Sequence, residues 1–208
     1  MRVIREIARY LVQMAPPALI GATVWALSYP LRRKRLEKSG RQSAPLREAA
    51  LLLFFLYVFG LLALTLTPPE FWTLLFRGQN PILFPLFSGG VNLIPFRESA
   101  KLFRFYVNAG MWSAIWINFP GNIIMFMPFG LFSALLSDKP RWWKSTLYTM
   151  FFSLFIELFQ LVVSRGTDID DLILNTLGGL MGHWLFLLLR RWAPALAAGC
   201  GTRRKGSV

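Results

Sequence analysis

Five stretches of this chain run for about 18 residues or more with almost no charge, close to what a helix needs to cross bilayer hydrocarbon. They are 11–31, 49–67, 118–136, 145–163 and 172–189. Inside lipid every backbone polar group must be satisfied within its own segment, so the pattern predicts helices. The expected fold is all-α: a polytopic membrane helix bundle with about five transmembrane helices plus interfacial amphipathic helices. Composition agrees, since 55% of residues are apolar and 16% charged, which argues against a soluble enzyme or a nucleic-acid-binding domain. The net charge of +13 would suggest nucleic acid in a soluble protein. In a membrane protein such an excess belongs to cytoplasmic loops and faces anionic lipid, so membrane lipids are expected as partners and nucleic acid is not. The single cysteine, Cys200, leaves no disulfide framework.

The first run follows Arg2, Arg5 and Arg9 in the manner of a signal peptide. As a helix it is roughly 30 Å long, and a cluster from Arg32 to Arg47 closes it, so it reads as an uncleaved span. Residues 1–48 then form a first transmembrane helix with a basic loop, 49–191 a transmembrane domain, and 192–208 a polar tail, disordered from Gly199 on. Orientation follows from Lys and Arg near the span ends. With the 32–48 loop inside, the inner segments carry seven, three and five of them, fifteen in all, against eight outside. This predicts an outside N-terminus and an inside C-terminus. The inner segments also hold only three acids, Glu37, Glu48 and Asp138.

Residues 70–117 form the longest connection. Phe71, Trp72, Phe76, Phe103, Phe105 and Tyr106 alternate with Arg77, Arg97, Lys101 and Arg104. Short amphipathic helices in the outer headgroup region would use that pattern.

The scarce polar residues are more informative, because an ionisable group in hydrocarbon must face protein or a wet cavity. Glu157 and Gln160 share a face of the fourth span. The connection after it holds Arg165, Asp168, Asp170 and Asp171 within seven residues. Thr167 and Asp170 have capping-box spacing, so the fifth helix is expected to start there. Asp168, Asp171, Asn175, Gly178 and Gly182 then form one small, polar stripe, expected to lie against the fourth span, with the two glycines favouring close helix approach. Asn118 and Asn122 stand near Pro120 and Pro128 on the third span. All these groups fall toward the outer face in the orientation above, whereas the inner halves of the spans read as almost entirely apolar. His183 reads as a hydrogen-bonded bundle residue.

Three readings stay open. The polar groups could merely cap helices and satisfy one another. They could line an outward-facing pocket for the head of an amphiphile, with Asn122, Glu157, Gln160, Arg165, Asp168, Asp170, Asp171 and Asn175 as candidates. Or a carboxylate could act as general base or hold a divalent ion. No Ser or Cys nucleophile, HExxH or His-rich set accompanies them, so catalytic residues stay unknown, and neither a metal nor a cofactor is expected.

The order of short motifs resembles the VanZ-like membrane protein family. Asn92-Leu93-Ile94-Pro95-Phe96 comes first, then Asn122 with Phe126, Pro128, Phe129 and Gly130. Glu157-x-x-Gln160, Arg165-x-x-Asp168-x-Asp170-Asp171 and Asn175-x-x-Gly178 follow. The resemblance covers about residues 60–190. It implies a multi-pass bacterial plasma-membrane protein of a family whose namesake confers low-level teicoplanin resistance without remodelling the peptidoglycan precursor. It carries no established catalytic residue. The ligand it suggests is a lipoglycopeptide or a lipid-linked cell-wall precursor. The alternative is a membrane-embedded enzyme acting on such a precursor.

Overall fold

The computed structural model describes residues 2–68, 71–80, 90–163 and 166–204; of 2–12, Ile117 and Arg204 only the backbone is described. In chain order the elements are α1 (Arg2–Lys38), β1 (Arg41–Ser43), α2 (Pro45–Leu66), α3 (Phe71–Phe76), β2 (Val91–Asn92), α4 (Arg97–Asn108), α5 (Trp112–Asn118), α6 (Pro120–Leu135), α7 (Trp142–Val162), β3 (Thr167–Asp168), α8 (Ile169–Trp192), α9 (Pro194–Gly199) and β4 (Thr202–Arg204). The fold is all-α, with strands of only two or three residues. Among the described residues four segments are long and apolar enough to cross a membrane: Pro45–Leu66, Trp112–Leu135, Trp142–Val162 and Ile169–Trp192. The expected first span, 11–31, lies within the 37-residue α1 and is not among those four. The third expected span, 118–136, matches α6 closely, and the apolar segment extends further back through α5, the two helices joining at Phe119 just before Pro120. Pro120 cannot donate a backbone hydrogen bond, so it suits the first turn of a new helix.

The chain divides into two units. The first comprises 1–83, 135–139 and 186–208. Here α1 packs along α2, held at one end by Gln13, whose Nε2 donates to the carbonyls of Ala63 (3.3 Å) and Thr67 (3.1 Å). At the other end Arg32 pairs with Glu48 at 2.9 Å, and the Ser43 hydroxyl donates to the same carboxylate at 2.5 Å. The boundary expected after residue 48 thus falls in the first turn of α2.

The expectation of a disordered tail from Gly199 to Val208 needs correcting over residues 199–204, while 205–208 lie outside the described residues. Strand β4 pairs antiparallel with β1, Ser43 opposite Thr202, and Cys200 is buried. The Arg47 guanidinium donates to the carbonyls of Leu136 (2.9 Å) and Cys200 (3.0 Å), satisfying backbone acceptors just past the ends of α6 and α9. Asp138 takes a hydrogen bond from Thr202 Oγ1 at 2.6 Å and an ion pair from Arg41. Polar chemistry between distant segments orders this stretch, and hydropathy does not register it.

The second unit comprises 84–134 and 140–185. Its core has Phe129 stacked on Phe152, with ring centroids 4.6 Å apart, beside buried Phe126 and Ile156. The stripe on α8 does not turn wholly to the fourth span as expected. A Cβ at Gly178 would meet the Ile123 carbonyl, and one at Gly182 the Met127 carbonyl, so both glycines admit α6. Gly179, the neighbour of Gly178, is the residue that admits α7, through Thr149. Successive residues on a helix point about 100° apart, so a helix wedged between two partners needs small residues on two faces.

Candidate functional site

Polar side chains concentrate where α7 ends and α8 begins. The α7 side of the α7/α8 contact is a ladder of Ser145, Thr149, Ser153 and Glu157, four residues apart and all buried. Four-residue spacing puts them on one helix face. Across from it, His183 Nδ1 lies 3.1 Å from the Ser145 hydroxyl, and Asn175 Nδ2 donates to Ser153 Oγ at 2.9 Å. His183 is therefore the hydrogen-bonded bundle residue expected. The part of the α7/α8 pair away from the acidic turn, expected to be almost entirely apolar, carries these polar contacts. The i, i+4 register of Ser145, Thr149 and Ser153 with Glu157 is visible in the sequence.

At the top of the ladder the Glu157 carboxylate accepts the Asp168 N–H at 3.0 Å, and the Thr167 hydroxyl donates to the Glu157 carbonyl at 2.9 Å. Those two bonds close the turn between α7 and α8. Asp168, not Thr167, caps α8: its Oδ1 accepts the Asp170 N–H at 3.0 Å, two residues on. The same Oδ1 receives Asn92 Nδ2 at 2.9 Å, where β2 runs parallel to β3. The expected capping box does not form, because Asp170 is engaged elsewhere. Only 2% exposed, it accepts the backbone N–H groups of Phe96 (2.6 Å) and Ser99 (3.3 Å), the start of α4. Asp171 accepts Asn122 Nδ2 from α6 at 2.7 Å.

Three successive acids thus face three partners: Asp168 the β2 strand, Asp170 the α4 N-terminus and Asp171 helix α6. Each bond to a carboxylate contributes about 1.5–3 kcal/mol where solvent is excluded. Beside them lies an open cleft of about 540 Å³, lined by Gly90, Val91, Asn92, Arg97, Glu98, Gly166, Thr167, Asp168 and Asp171.

The eight expected candidates therefore separate. Asp168 and Asp171 line the cleft. Asn122, Glu157 and Asp170 stand behind it, holding its walls, and Asn175 lies deeper, one turn along α8 from Asp171. Gln160 is on α7 but not on the cleft, and Arg165 lies outside the described residues. Asn92, Arg97 and Glu98 complete the cleft and were not among the candidates. Asn92 had a signal, its place in the Asn92–Phe96 motif; Arg97 and Glu98 read only as part of an amphipathic helix. Among the described residues no three of His, Cys, Asp and Glu converge as metal ligands.

Comparison with known proteins bears on residues of both units. The family model described as VanZ/LLP1 matches residues 54–190. The chain is 32% identical over 130 residues to Protein VanZ of Enterococcus faecium, an alignment covering 61% of this chain and 71% of that protein. No solved structure matches it. With a family model matched over more than half of its length, the chain belongs to the VanZ/LLP1 family.

Proposed function

We propose that this protein acts at the bacterial plasma membrane as a VanZ-type determinant of low-level resistance to teicoplanin-type lipoglycopeptides. In this reading it spans the membrane several times, with the N-terminus outside and the C-terminus inside, and the cleft beside α8 faces the outer leaflet. The cleft binds or excludes the head of an amphiphile whose acyl tail stays in lipid.

One observation carries the reading. Asn92 and Asp168, from two motifs separated by 76 residues of chain, are hydrogen-bonded on the wall of a single cleft. Among the described residues three acids, Glu98, Asp168 and Asp171, and one base, Arg97, line it. Such a set offers a net negative, hydrogen-bonding surface to a polar head. The walls are held by Asn122, Asp170 and Glu157, so little ordering is left to be done on binding.

Teicoplanin susceptibility of cells expressing Glu157→Ala, Arg165→Ala, Asp168→Ala and Asp171→Ala variants at matched membrane abundance tests this. Resistance falls to the level of cells lacking the protein for Asp168→Ala and Asp171→Ala, and partly for the others. Undiminished resistance in all four sinks the cleft model. A new lipid-linked precursor species on expression, seen by mass spectrometry, would replace binding by covalent chemistry.

A further inference from the structure

Helix α4 carries Arg97, Lys101, Arg104 and Asn108 at three- and four-residue steps, so at about 100° per residue they form one basic face. Leu102, Phe103, Tyr106 and Val107 occupy the other side. An amphipathic helix of a soluble domain would bury that apolar side. Here no residue of α4 is buried, and Leu102, Phe103, Phe105 and Val107 are exposed.

Among the described residues its attachments are few. Asp170 holds the first turn, the Phe103 ring meets Phe119 edge-on at 5.9 Å, and Asn118 Nδ2 lies 3.5 Å from the Tyr106 hydroxyl. Only Ala109–Met111 separate α4 from the apolar segment Trp112–Leu135, and Gly110, at φ +64, makes the turn. The exposed indoles of Trp112 and Trp116 follow directly, in the position aromatic residues take at a membrane–water interface. Chain continuity therefore keeps α4 within a few residues of the bilayer edge.

We propose that α4 is a membrane-surface helix whose occupant is the anionic bilayer itself. Leu102, Phe103 and Val107 enter the boundary between headgroups and acyl chains, and Lys101 and Arg104 meet lipid phosphates. Three bases against the single acid Glu98 give the helix its preference for anionic lipid. The inference stands apart from the ligand of the cleft: it concerns what covers α4, whichever amphiphile the cleft takes.

The test uses the full chain reconstituted in phosphatidylcholine vesicles with and without phosphatidylglycerol. Single cysteines are placed in turn at Lys101, Leu102, Phe103, Arg104 and Val107 in a Cys200→Ser background and labelled with a nitroxide. Expected are high oxygen accessibility at 102, 103 and 107, high accessibility to a water-soluble nickel reagent at 101 and 104, and deeper 102 and 103 labels when phosphatidylglycerol is present. Lys101→Glu with Arg104→Glu abolishes the dependence on phosphatidylglycerol. Uniform access of the nickel reagent along 101–107 in both vesicles would overturn the proposal. So would protection of 102, 103 and 107 from both reagents, which would mean burial in protein.

Discussion

The carboxylate of Asp170, in the first turn of α8, accepts the N–H of Phe96 at 2.6 Å, 74 residues away in sequence. Phe96 sits at φ +62, the left-handed region where a residue with a Cβ is disfavoured by about 1–2 kcal/mol. Its N–H and that of Ser99 would otherwise be free donors at the start of α4. One buried acid thus caps a helix it does not belong to and offsets a strained backbone.

Replacing Asp170 by Ala is expected to free those donors and cost about 2 kcal/mol. Asp170→Asn, which keeps one acceptor, should cost less. The check is hydrogen exchange: amides of residues 97–101 exchange faster in Asp170→Ala while those of α7 change little. Unchanged exchange at the α4 start would contradict the capping role.

Gly182 approaches the Met127 carbonyl of α6 too closely for any side chain. Gly182→Val should therefore force the helices apart and cost about 1–3 kcal/mol. Thermal unfolding in detergent, followed by size exclusion, would show an earlier transition. Leu185→Val serves as control, because that exposed side chain on the same helix has no such contact to lose.

Asp138 lies between the expected spans, and its carboxyl is held below the usual value of 3.8, chiefly by the hydrogen bond from Thr202 and further by Arg41 and Arg47. A folded value below the unfolded one means stability that is present above about pH 4 and lost as pH falls through the depressed folded value. The group is 42% exposed, so solvent screening leaves a contribution on the order of 0.5 kcal/mol. The melting temperature of Asp138→Asn should lie below the parent's at pH 7, and the gap should close as pH falls through the depressed folded value. A gap that persists in acid would remove the ionised carboxylate from the explanation.

The apolar runs were legible in the sequence because a 20-residue hydrophobic helix leaves an unmistakable pattern. The acidic turn was legible too, because charge is rare in this chain. The division of labour within that turn was not. Spacing suggested that Thr167 and Asp170 cap α8 between themselves, yet Asp168 does so and Asp170 reaches to α4. Local rules cannot see a partner 74 residues away. The same holds for Arg47, which links the carbonyls of Leu136 and Cys200 across 89 and 153 residues and orders a stretch that reads as a polar tail. The ladder from Ser145 to Glu157 had the right register, but small hydroxylated residues are common in membrane helices, and only the facing Asn175 and His183 give it meaning.

The most direct test of the cleft account is the binding of purified protein in nanodiscs to teicoplanin and to a non-acylated glycopeptide, side by side. The account predicts saturable binding of the acylated drug, at least tenfold weaker binding of the non-acylated one, and loss of the first in Asp168→Ala with Asp171→Ala. Equal affinity for both drugs, or full binding by the double variant, would contradict it.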